Sequence, residues 1–119
     1  MDTPARTFQD LVVWQKAHRL VISVYNTTKR FPKDETYGMI SQIRRSAVSV
    51  PANIAEGFKK ISKAEKAHYL NIAQSSLEET RYYLILSQDL GYSNNASVQE
   101  QAEEVSKLLT SYRMKVVSR

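Results

Sequence analysis

At 119 residues, with 42% hydrophobic and 24% charged side chains, the chain has the size and composition of one folded domain. It contains no cysteine, which excludes disulfides, thiolate nucleophiles and cysteine-type zinc sites and fits a reducing compartment. There are 17 Lys and Arg against 12 Asp and Glu, a net charge of +5 and a pI near 9.5. That balance suits nucleic acid or an acidic partner, and equally suits plain solubility. Met1 to Thr7 lacks the apolar run of a signal peptide, and no stretch approaches the roughly 20 apolar residues of a membrane span. A cytoplasmic protein with no membrane association is expected.

With three Gly and three Pro in the whole chain, long helices joined by short loops are expected. Residues 1–7 read as a short N-terminal tail and residues 8–118 as the folded domain. The first helix is predicted from Phe8 to Arg30, with Phe8, Leu11, Val12, Ile22 and Tyr25 on one stripe and Trp14, Ala17, Val21 and Val24 on a neighbouring one. Phe31-Pro32 ends it, because a residue before Pro avoids the α conformation.

A second helix is predicted from Asp34 or Glu35 to Phe58, its acidic start matching the positive end of the helix dipole. Tyr37, Ile40, Ile43, Ala47, Val48, Ile54 and Phe58 keep helical spacing. Pro51 removes one backbone donor inside it, so a kink or a short break is expected there. Ser62-x-x-Glu65 is a capping box opening the third helix, which runs to about Leu90, where Gly91 suits a left-handed C′ position. Leu70, Ala73, Leu77 and Leu84 form one stripe of this helix, and Tyr69, Ile72, Tyr83, Leu86 and Leu90 a second. Asn94, Asn95 and Ser97 are candidate N-caps for the fourth helix, Ser97-x-x-Glu100 again matching a capping box. Val98, Ala102, Val105, Leu109, Tyr112 and Val116 make its single stripe.

Short loops make successive helices antiparallel neighbours. The expected fold class is therefore all-α, an up-down-up-down antiparallel four-helix bundle with helix two kinked near Pro51. Helices one and three carry more apolar surface than one packing face uses, a surplus that marks an interface with another chain.

The segments Phe8-Gln9-Asp10-Leu11-Val12-Val13-Trp14-Gln15-Lys16-Ala17, Phe31-Pro32, Glu35-x-Tyr37-Gly38, Gln42-Ile43-Arg44-Arg45-Ser46-Ala47, Asn53-Ile54-Ala55-Glu56-Gly57 and Leu90-Gly91-Tyr92 resemble, in the same order, a known family. It is the four-helix bundle proteins encoded in intervening sequences of bacterial 23S rRNA genes, and the likeness spans about residues 8–115. The resemblance implies a four-helix bundle and a ring-shaped homopentamer. It also implies kinship with the accessory proteins of diversity-generating retroelements, basic pentamers that contact a reverse transcriptase and nucleic acid. Ser75-Ser76, Met39 and Thr80 depart from the family's pattern, with softer packing expected around Thr80.

Gln42, Arg45, Ser49, Asn53 and Glu56 line one face of the second helix. They form either a structural network, with Arg44 or Arg45 bridging to Glu56 or Glu78, or a binding site. Glu65-x-x-His68 has di-iron spacing, but a di-iron bundle needs two such motifs and further Glu ligands. No metal or cofactor is expected, and no nucleophile, base and phosphate loop come together in sequence, so no enzyme activity is expected either.

The basic residues cluster in two zones at opposite ends of the bundle. Lys29, Arg30 and Lys33 form one, and Lys59, Lys60, Lys63 and Lys66 the other. They are the candidate RNA or DNA contacts, against the alternative of solvated loop charge, and a protein partner is the other reading of the same surface. The seven Tyr residues read as core by their stripe positions, with Tyr92 the exception that suits base stacking.

Overall fold

A computed structural model describes residues 4–118, so the first three residues of the expected tail lie outside the described residues. Four α-helices follow one another: α1 (Val12–Thr28), α2 (Met39–Lys59), α3 (Lys63–Asp89) and α4 (Ala96–Val117). Each packs on its neighbours in the order α1–α2–α3–α4–α1, while diagonal helices keep their Cα atoms more than 8 Å apart. This is the expected up-down-up-down bundle. Its long axis of 46 Å matches the 27 residues of α3, which at 1.5 Å per residue span about 40 Å.

The first helix begins later than its apolar pattern suggests. Phe8–Asp10 form a short 3₁₀ turn, and Leu11 is extended before α1 starts. Asp10 is the cause: its carboxylate accepts the backbone amides of Arg6 (2.9 Å) and Thr7 (3.1 Å), closing a local turn in place of the α-helical first turn. Those amide bonds hold the Asp10 carboxyl below its ordinary value. The core stripe of α1 also differs from expectation. Val13, Ala17, Leu20 and Val24 are buried, whereas Val12, Ile22 and Tyr25 face outward. Two overlapping apolar stripes exist on this helix, and the bundle uses only the one that faces α2 and α4.

α2 also starts late. Lys33–Glu35 form a second 3₁₀ turn, so Tyr37 lies in a loop and is 95% exposed. Glu35 still serves the helix start, as Oε1 accepts the Met39 amide (3.2 Å) and Oε2 accepts the Tyr92 hydroxyl (2.7 Å). These two bonds, Tyr92 first, lower the Glu35 pKa, and the same pairing raises that of Tyr92. A carboxylate depressed on folding contributes stability above its unfolded value near 4.5, and that contribution is lost as pH falls through the lower folded value. Glu35→Gln is therefore expected to flatten the fall in urea midpoint between about pH 5 and pH 3. An acid limb as steep as in the parent chain would show that Glu35 is not the titrating group.

Pro51 is buried within α2, which runs across it as one helix without a break. Ile43, Ala47, Val50 and Ile54 line the core side of α2, while Val48 is exposed. The third helix follows its expectation closely. Ser62 Oγ accepts the Glu65 amide (3.1 Å) and donates to Glu65 Oε1 (3.2 Å). Leu70, Ala73, Leu77 and Leu84 are buried. Gly91 takes φ +78°, the left-handed conformation that favours glycine. In α4 the cap residue is Asn95, and Ser97 falls inside the helix. Asn95 does not cap through its side chain. That side chain instead reaches back into the α3 end, and Val98, Ala102, Val105, Leu109 and Val116 close the core.

Candidate nucleic-acid interface

The turn between α2 and α3 is built tightly. Gly57 allows the two helices to approach, since a Cβ there would lie 3.2 Å from Tyr69 Cβ and 3.5 Å from the Lys66 carbonyl oxygen. Lys66 then donates to the last carbonyls of α2, Phe58 O at 2.8 Å and Gly57 O at 3.3 Å. A cation at a helix C-terminus satisfies orphan acceptors and the dipole together. Lys66 is thus a half-buried cap with much of its bonding spent. Lys60 lies over the Tyr69 ring at 5.2 Å, and Lys59 and Lys63 point to solvent.

At the opposite end Lys29, Arg30 and Lys33 are exposed. Asp34 and Glu35 follow Lys33 directly, so the charge is more mixed there. Among the described residues, ion pairs join Lys16 to Glu104, Arg45 to Glu79, Arg81 to Glu78 and Lys107 to Glu103. None involves any of the seven candidate contact residues. The four paired cations sit on helix flanks, where Glu78, Glu79, Glu103 and Glu104 of α3 and α4 meet them.

The polar residues of α2 are hydrogen-bonded among themselves and to α1 and α3, with partners other than those expected from the sequence. Arg45 pairs with Glu79 on α3 and donates to Gln42 Oε1 (3.2 Å). Arg44 turns the other way, to α1, donating to Thr28 Oγ1 (2.9 Å) and the Tyr25 carbonyl (3.4 Å) and lying 4.5 Å over the Tyr25 ring. Asn53 donates to the Ser49 carbonyl and hydroxyl, and Ser76 on α3 donates to Ser49 Oγ at 2.8 Å. Neither Glu56 nor Glu78 takes the expected bridge: Glu56 is exposed, and Glu78 pairs within its own helix with Arg81. One helical step separates Glu78 from Glu79, and it turns the carboxylate from the α2 side to the flank.

Sequence reasoning missed Ser46 and Thr80 as partners. Both are fully buried and Ser46 Oγ and Thr80 Oγ1 lie 2.8 Å apart, so one hydroxyl donates to the other, which donates in turn to its own helix, at Ile43 O or Ser76 O. Thr80 is therefore a satisfied interhelical contact and no soft spot. A Ser on one helix facing a Thr on the next within an apolar stripe is the only sequence signal it leaves.

The tyrosines correct a second expectation. None of the seven is fully buried. A phenol keeps its hydroxyl at water or on a partner: Tyr83 and Tyr112 pack against the core from its rim, whereas Tyr25, Tyr37 and Tyr82 are exposed. Tyr83 lies beside Glu79, and burial with that neighbour pushes its pKa up. Tyr92, the expected stacking platform, is committed to Glu35 and to Phe31, whose ring centroid is 5.5 Å away. His18 stacks on Trp14 and His68 sits edge-on to Tyr69. Among the described residues no three His, Cys, Asp or Glu side chains gather as a metal site, and no helix is long and apolar enough to cross a membrane.

These features define a class: an antiparallel four-helix bundle with hydrogen-bonded polar groups between its helices and basic residues outside ion pairs at both ends. The family model for the 23S rRNA-intervening sequence protein matches residues 9–111, and the chain belongs to that family. Among solved structures, it is similar to a protein of unknown function of the S23 ribosomal protein family from Bacteroides thetaiotaomicron VPI-5482. The TM-score is 0.78 at 30% identity, over 87% of this chain and 96% of that one. No curated protein matches the chain.

Proposed function

We propose that the protein is a non-catalytic, cytoplasmic accessory subunit that assembles with copies of itself, as a pentamer, and binds RNA or DNA through its basic ends. The observation that carries this reading is the run of basic residues at the bundle ends: seven Lys and Arg there join no ion pair among the described residues, whereas Lys16, Arg45, Arg81 and Lys107 on the flanks do. Solvent-facing ammonium and guanidinium groups bind phosphates as point charges without reading sequence. A ring would repeat each zone about its axis and turn weak contacts into multivalent ones.

Support for assembly comes from apolar groups left outside the core on α1 and α3, Ile22 at 50% exposure and Tyr82 and Ile85 beside it in kind. A groove of about 420 Å³ between α1 and α4 runs past Ile22 and Arg19, and Gln101 in its wall has a buried side-chain oxygen with no donor among the described residues. The competing reading, a scaffold for a protein partner without nucleic acid, uses the same exposed faces. Binding to RNA and single-stranded DNA across a salt series separates the two. Phosphate contacts predict a log–log slope of about −0.7 per contact on single strands. No binding at low salt would leave the protein scaffold standing. Light scattering on a sizing column checks the assembly, and a clean monomer at micromolar concentration would remove the ring.

A further inference from the structure

At the α2–α3 end the four helix termini and residues Pro4 and Ala5 surround a cleft of about 550 Å³. That volume is within the range of sites that enclose a small molecule. Its apolar wall includes Val12 (56% exposed), Phe58, Val116 and the loop residue Ile61, which is 96% exposed. Its cations are Lys63, Lys66 and Lys115, and its one acid, Asp10, is committed to the Arg6 and Thr7 amides. Lys66 is committed to the α2 carbonyls, so Lys63 and Lys115 are the ammonium groups left to meet a ligand, with Lys59 and Lys60 beside the cleft on the same turn.

Resting on the nucleic-acid reading above, we propose that this cleft makes the protein selective for single strands: it admits an unpaired nucleobase while Lys59, Lys60, Lys63 and Lys115 hold the flanking phosphates. The ligand is anionic, because the uncommitted charges lining the cleft, Lys63 and Lys115, are positive. It carries repeated charge, because Lys63 and Lys115 come from different helices and Lys59 and Lys60 adjoin them on the α2–α3 turn. It must bring a flat apolar group between those charges to cover Val12, Phe58 and Ile61. A single strand alternates phosphates with exposed base faces and meets all three demands. A duplex keeps its bases stacked and offers this cleft only phosphates.

Three probes of equal length test it with the full chain: a dodecamer of thymidine, its abasic analogue and a duplex dodecamer. The thymidine strand is expected to bind about tenfold or more tighter than the abasic strand, in line with base contacts elsewhere. Ile61→Ser, a change at a solvent-exposed loop position, is expected to erase that preference and leave the salt slope unchanged. Equal, salt-dependent binding of all three probes overturns the base site and leaves phosphate binding in place. Failure of every probe at low salt overturns the underlying reading as well. Capture of an acidic, aromatic peptide in preference to the thymidine strand also overturns the assignment and makes the cleft a protein-docking site.

Discussion

Simultaneous reversal of Lys59, Lys60 and Lys63 to Glu is expected to weaken RNA or single-stranded DNA binding at least ~100-fold at low salt and to lower the salt slope by about 2, three contacts at 0.7 each. The three were chosen by what they do not do. None donates to a carbonyl or joins an ion pair, and only Lys60 has a ring contact, with Tyr69. Lys66 is left alone because it caps α2, and its loss would confound binding with stability. The folded state should tolerate the change within about 1 kcal/mol, since Glu at the start of α3 is favoured by the dipole and Glu at the end of α2 disfavoured. Joint reversal of Lys16, Arg81 and Lys107 to Glu, three cations ion-paired on the helix flanks, changes the net charge by the same amount, is the matched control and should bind almost as the parent does. Equal loss in the two variants would mean that net charge matters and its position does not.

Asn95→Asp is expected to destabilise the fold by about 3–5 kcal/mol at pH 7, the cost of an uncompensated buried charge. Asn95 is 1% exposed. Its amide nitrogen donates to the Leu84 carbonyl (2.9 Å), Ser87 Oγ (2.9 Å) and Ser93 Oγ (3.3 Å), and its oxygen accepts Gln99 Nε2 (2.7 Å). These bonds tie the end of α3 to the start of α4. Asp has the same shape, so no cavity forms, but it puts an acceptor against the Leu84 carbonyl. The penalty falls on the ionised form, which raises the folded pKa of the new carboxyl. Stability lost above that value returns as pH drops, when the protonated acid can again donate. The gap between the variant's urea midpoint and the parent's should therefore be wide at pH 7 and narrower at pH 5. A loss below 1 kcal/mol at pH 7 would mean that the pocket around Asn95 opens to water.

The helix count, the order of the helices, the Ser62–Glu65 cap and the left-handed Gly91 were legible because each rests on local chemistry: a 3.6-residue period, a hydroxyl three residues before a carboxylate, a residue without Cβ. Helix starts were less legible. Glu35 looked like a first-turn acid and Asp10 fell inside the predicted first helix, yet Asp10 closes a 3₁₀ turn before α1 and Glu35 ends one before α2 while accepting the Met39 amide, because an acidic side chain can satisfy backbone amides from outside the helix.

The face of α1 that enters the core could not be read from its pattern, since the Val13–Leu20 and Val12–Ile22 stripes are both apolar. Choosing between them takes the positions of α2 and α4. Pairing across helices was hidden for the same reason. Glu79 and not Glu78 meets Arg45, and Arg44 faces α1, because a single residue step rotates a side chain by about 100° around the helix. The basic clusters were visible as sequence runs, and local spacing sufficed to place them at helix ends. That Lys66 is spent on a cap, that Lys63 and Lys115 flank an apolar cleft, and that Asn95 is a buried tie between α3 and α4 are facts of packing, set where chain segments far apart in sequence are brought to the same few ångströms.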